Sequence, residues 1–119
     1  MDNSEEIFNH LKEILRAYSS DMVVVTDKPD NYYLNTHHVM KNKKPMYFGS
    51  VKINRHYVSF HLMPVYVFPE LLESLSPELK KRMQGKSCFN FKATDAKLFQ
   101  ELNELTRAGY RKYKQAEYV

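Results

Sequence analysis

Residues 46–63 constrain this chain more than any other stretch. Met46–Ile53 and His56–Met63 are rich in β-branched and aromatic residues and flank a short polar segment, Asn54-Arg55, whose Asn tolerates a left-handed backbone. The pattern predicts a β-hairpin. With a two-residue loop, Ile53 lies opposite His56, and strand alternation assigns Val51/Val58, Gly49/Phe60 and Tyr47/Leu62 to an apolar face. Lys52/Tyr57, Ser50/Ser59 and Phe48/His61 then share a mixed face, the natural place to look for function.

The flanking segments read as parts of the same unit. Ile7, Phe8, Leu11, Ile14, Leu15 and Tyr18 recur at the helical interval, predicting an amphipathic helix from Ser4 to about Ser20 with acidic residues in its first turn. Met22–Thr26 has strand propensity, Asp27–Asn31 reads as a turn, and Tyr32–Met40 reads as a second strand returning through 41–45. Pro64 and Pro69 each remove a ladder donor, so Val65–Phe68 is expected to be extended, as an edge or crossing segment. Glu70–Leu75 has room for one or two helical turns. Ser76-Pro77 is a helix start, with Gln84-Gly85 as its end. Ser87–Lys92 reads as a strand with Phe89 and Phe91 on one face and Cys88 and Asn90 on the other. Thr94 is the expected cap of a terminal helix facing inward through Leu98, Leu102, Leu105, Gly109 or Tyr110, and Tyr113.

Composition narrows the function classes. At 119 residues and 43% apolar, residues 1–119 fit one domain, an antiparallel sheet of four to six strands with helices on its apolar face. No apolar run approaches the roughly twenty residues needed to cross a bilayer, and Met1–Glu6 lacks the basic and apolar regions of a secretory signal, so no membrane association and a cytoplasmic location are expected. Cys88 is the only cysteine, which excludes an intrachain disulfide and a cysteine-rich zinc site. A net charge of +4 permits an anionic partner without requiring one.

Several motifs fall short of the chemistry they suggest. The run from Lys80 ends in Gly85-Lys86-Ser87, but a P-loop needs a Gly where Lys80 stands and runs from strand to helix. His37, His38, His56 and His61 sit near neighbouring strands, yet His37 and His38 point to opposite faces, so no metal site or cofactor is expected. Cys88 beside His61 would be a nucleophile pair, but no oxyanion-hole pattern accompanies it, and the expectation is no enzymatic activity. Lys52, Arg55 and Tyr57 interleave charge with aromatics. The remaining cations are scattered over turns and helix ends, which argues against a nucleic-acid partner.

Tyr57–Tyr66, followed by Leu79–Phe91, resembles the YdhG-like family, a bacterial domain of unknown function. The similarity spans roughly Met46 to Tyr113 and rests on a hairpin ending in His, a helix, and a Gly-Lys-x-x-x-x-Phe strand. It implies a small α+β domain, an antiparallel sheet with the N- and C-terminal helices on one face, similar in general shape to frataxin. One branch of that family is described as a frataxin-like iron chaperone. Iron delivery would draw on oxygen ligands along the first helix and strand, here Asp2, Glu5, Glu6, Glu13, Asp21 and Asp27.

The leading expectation is a non-enzymatic binding module. Its mixed sheet face, built from Ser50, Tyr57, Ser59, His61, Cys88 and Asn90, would hold a small molecule or a protein segment, or be covered by a second copy in a homodimer. The iron chaperone is the alternative.

Overall fold

The computed structural model describes residues 3–119. In chain order it contains α1 (Ser4–Arg16), a 3₁₀ turn (Ser19–Asp21), β1 (Val23–Lys28), β2 (Asn31–Val39), β3 (Pro45–Ile53), β4 (Val58–Leu62), α2 (Met63–Val67), a second 3₁₀ turn (Pro69–Leu72), α3 (Pro77–Lys80), β5 (Met83–Gln84), β6 (Cys88–Phe91) and α4 (Ala96–Gln115). The six strands form one sheet in the order β1-β2-β3-β4-β6-β5, antiparallel at every pairing. This is an α+β fold.

Packing, more than propensity, holds the helices in place. A helix of 13 residues such as α1 is marginal alone. Burial of Ile7, Phe8, Leu11, Ile14 and Leu15, at about 1.5–3 kcal/mol each when complete, supplies what it lacks. Leu15 lies over Gly49 of β3, where a Cβ would come within 3.0 Å of its Cδ2 and 2.9 Å of the His61 carbonyl oxygen. Only glycine fits beneath that leucine. Helix α4 presents Leu98, Phe99, Leu102, Leu105, Thr106, Gly109 and Tyr113 to the same core. The Tyr113 ring meets Phe48 at a centroid distance of 5.8 Å, and its hydroxyl donates to the Tyr47 carbonyl at 2.8 Å.

The predicted hairpin is present with a different register. Ile53 pairs with Val58 and Gly49 with Leu62, so the loop is the four residues Asn54–Tyr57, closed by Asn54 N donating to the Tyr57 carbonyl at 2.8 Å. Ser50 faces His61 and Lys52 faces Ser59. The two-residue shift preserves the alternation, so Val51, Val58, Phe60 and Leu62 still enter the core. Tyr47 and Phe48 exchange their expected faces. A β-bulge separates the pairs Leu34/Gly49 and Asn35/Tyr47, leaving Phe48 as an extra residue that enters the core beside Gly49 and turning Tyr47 outward.

Three other expectations are corrected. Val65–Phe68 is not extended: Pro64 stands in the first turn of α2, where its missing N–H costs nothing. The terminal helix is capped by Asp95 rather than Thr94, its carboxylate accepting from Leu98 N at 3.0 Å. The helix begun by Ser76 ends at Lys80, and Met83-Gln84 pairs with β6 as a short edge strand before Gly85 turns at φ 81°. At the opposite edge, β1 exposes Val23, Val24 and Val25, with a register break between Val24 and Thr26. Such irregularities blunt an unpaired edge.

Candidate functional site

With α1 and α4 on one side of the sheet, alternation projects polar and aromatic side chains from the other. Register aligns them in two rows across the strands. Thr26, Tyr33, Ser50, His61, Cys88 and Gln84 form one, and Lys28, Asn31, Lys52, Ser59 and Asn90 form the next. Five of the six residues expected to form the site therefore occupy adjacent rows. The sixth, Tyr57, sits in the β3–β4 loop and lines a groove with Asn90. All six share one side of the molecule.

These groups satisfy one another. Tyr47 OH and Ser50 Oγ are hydrogen-bonded. His61 Nε2 meets Ser87 Oγ at 2.5 Å, and Ser87 is itself buried. Asn54 Nδ2 donates to Ser59 Oγ at 3.0 Å, the Cys88 thiol to Asn90 Oδ1 at 3.5 Å, and Asn90 Nδ2 to Gln84 Oε1 at 3.3 Å. Aromatic contacts tie the middle together: Tyr33 stacks on Tyr47 at 4.7 Å, and Tyr47 meets His61 edge-on at 5.3 Å. The face is an ordered network.

Its electrostatics follow from partial burial. Desolvation lowers the His61 pKa, favouring the neutral ring that suits its bond to Ser87. Desolvation likewise raises the Cys88 thiol and the Tyr47 phenol, keeping both protonated. His61 and Cys88 are register partners, yet the imidazole bonds to Ser87 and the thiol to Asn90. The imidazole is therefore not bonded to the thiol, and partial burial disfavours the thiolate.

The remaining histidines do not join His61. His37 is exposed on β2, His38 packs on Tyr118 at 5.1 Å, and His56 lies exposed in the hairpin loop. Of the acidic residues proposed for iron, Asp2 lies outside the described residues. Glu13 pairs with Arg16, Asp27 with Lys12, and Asp21 accepts from the Tyr110 hydroxyl. Glu5 and Glu6 line an open hollow along α1 with Glu13 and His10. Among the described residues, no three His, Cys, Asp or Glu side chains converge as a metal site requires. None of the described helices is long and apolar enough to cross a membrane.

Sequence reasoning missed several members of this face. Tyr33 carried a usable signal, being an outward position of β2. Tyr47 was hidden by the bulge, and Ser87 precedes its strand. Lys81, Arg82 and Lys92 were also missed, because they lie on either side of β5 and β6 in the chain. They line a groove of about 340 Å³ with Tyr57, Met83, Gln84 and Asn90. Comparison of the chain with family models, curated proteins and solved structures finds no match in any of the three.

Proposed function

We propose that this chain is a non-enzymatic binding module, using the polar and aromatic sheet face to hold a small ligand or partner segment. The supporting observation is the alignment of Ser50, His61, Cys88, Ser59 and Asn90 in two adjacent rows on the side away from α1 and α4. Tyr and His give affinity through their rings, while Ser and Asn set orientation through directed hydrogen bonds. The absence of a catalytic role is part of the proposal. It is supported by a protonated Cys88 thiol and a His61 ring engaged with Ser87. The kinship with the YdhG-like family belongs to the same reading and rests on Tyr57–Tyr66 and Leu79–Phe91.

The test is amide NMR shift mapping of the folded protein against a metabolite panel, with anaerobic ferrous iron as a separate arm. Saturable shifts along the two rows, weakened in His61→Ala and Tyr57→Ala variants that keep their fold, support the module. Wild-type affinity in both variants would refute it. Stabilisation by iron that disappears when Glu5, Glu6 and Glu13 become Gln would instead favour the chaperone.

A further inference from the structure

We propose that the groove at the β5 end of this face binds a nucleotide unit, a phosphate carried on a flat ring. The inference rests on the binding-module reading and specifies its ligand. The groove is lined by Tyr57, Lys81, Arg82, Met83, Gln84, Asn90 and Lys92, three of which are cationic and none acidic. Elsewhere Lys12, Arg16 and Lys112 each face a carboxylate. Among the described residues, Lys81, Arg82 and Lys92 face none. Asp95 lies in an adjoining hollow with Arg82 and Lys92, where it caps α4 through Leu98 N and forms no ion pair with either cation. Three cations without an ion-pair partner thus line one groove that holds no acidic side chain.

The cations project from a fixed frame. Lys81 N donates to the Pro77 carbonyl at 3.1 Å and Arg82 N to the Leu79 carbonyl at 3.0 Å, while the Arg82 carbonyl accepts from Asn90 N at 2.8 Å. Anchoring the backbone in this way reduces the ordering cost of binding. A guanidinium fork with two ammonium groups suits a doubly charged phosphate better than a single carboxylate. The Tyr57 ring supplies a flat surface, and the Asn90–Gln84 amide pair supplies both a donor and an acceptor for a ring edge. At about 340 Å³ the groove is at the small end of ligand sites, matching one nucleotide unit. Lys52 and Lys28 share the row that leads to Asn90, so a strand of linked nucleotides has a basic path onward across the sheet.

The experiment is an amide NMR titration of the full chain with adenosine monophosphate, adenosine, inorganic phosphate and octauridylate. The expected result is saturable movement of Tyr57, Gln84, Asn90 and Lys92 with the monophosphate, at least about tenfold tighter than with adenosine. Arg82→Ala/Lys92→Ala should lose about tenfold or more, while Lys97→Ala, an exposed cation on α4, should not. Octauridylate binding much tighter than the monophosphate, and weakening about 20-fold between about 50 and 200 mM salt for three phosphate contacts, identifies a strand as the source. Equal binding identifies a free nucleotide. The inference is overturned if neither the monophosphate nor octauridylate moves these amides, or if the double variant binds unchanged. Adenosine binding as tightly as the monophosphate removes the phosphate while leaving the binding face in place. So does a phosphate-free metabolite that moves the His61 and Ser59 rows when the monophosphate moves nothing. Silence of both rows and groove toward every probe defeats the two readings together.

Discussion

Gly109 of α4 gives a stability test whose sign depends on two opposed effects. Alanine is preferred over glycine inside a helix by about 1 kcal/mol, so propensity alone makes Gly109→Ala stabilising. A Cβ at that position, however, would lie 2.8 Å from Pro64 Cβ and 3.2 Å from Pro64 Cγ. Carbon atoms prefer about 3.5–4.0 Å, so the closest contact is too short by roughly 0.7 Å or more. The obstructing atoms belong to a proline ring in the first turn of α2, which cannot rotate away as a flexible side chain would. Overpacking of this kind costs typically about 1–3 kcal/mol. The expected balance is a loss of up to about 2 kcal/mol, or a fall in Tm of up to about 8 °C for a domain of this size. Urea unfolding followed by circular dichroism measures it, with an unchanged slope confirming that the native state remains compact. In a Pro64→Gly background the obstructing Cβ is gone, and Gly109→Ala should become neutral or stabilising there. A stabilising effect of Gly109→Ala in the wild-type background would refute the close α4–α2 contact.

Three further outcomes are expected. Glu101 accepts from Ser76 N at 2.7 Å and from Ser76 Oγ at 2.6 Å, joining α4 to the start of α3. Glu101→Ala should therefore cost about 2 kcal/mol in urea unfolding, and a loss under about 0.5 kcal/mol would contradict this. The depressed His61 pKa means that the unfolded chain takes up a proton there before the folded one does. Stability should decline as pH falls below the ordinary imidazole value of 6.5 and level off once the folded ring is protonated, and His61→Gln should remove that part of the profile in acid-titration melts. The half-buried Cys88 thiol, its pKa raised by desolvation, should alkylate more slowly than an ordinary cysteine at about pH 8. A faster rate would revive a nucleophilic role.

The elements themselves were legible in the sequence because their periodicities are strong. The core of α1 and the outward placement of Cys88 and Asn90 follow directly from spacing. Register was harder. The segment Asn54–Tyr57 has no glycine to mark a two-residue turn, and lengthening the loop by two preserves the face of every residue, so hydrophobic pattern could not expose the error. The bulge at Phe48 breaks alternation with no local signature except Gly49, whose role is set by Leu15 from a distant helix. Pro64 misled because proline suppresses strands and also begins helices, and only its position within α2 decides between them. Five of the six expected site residues share a face because strand alternation survived the register shift, while Tyr57 moved into the loop. The cationic groove escaped notice because its members meet only through the pairing of β5 with β6.

Tyr47 also engages both sides of the sheet. Its carbonyl accepts the Tyr113 hydroxyl from the last turns of α4, while its ring lies on the opposite side, stacked on Tyr33 and edge-on to His61. A single residue thus connects the terminal helix to the outer network through its own backbone. A shift in the last turns of α4 would tilt that ring and be felt at His61, and occupation of the outer face would in turn restrain the helix end. The two sides of the sheet are thus joined through the contacts of one residue.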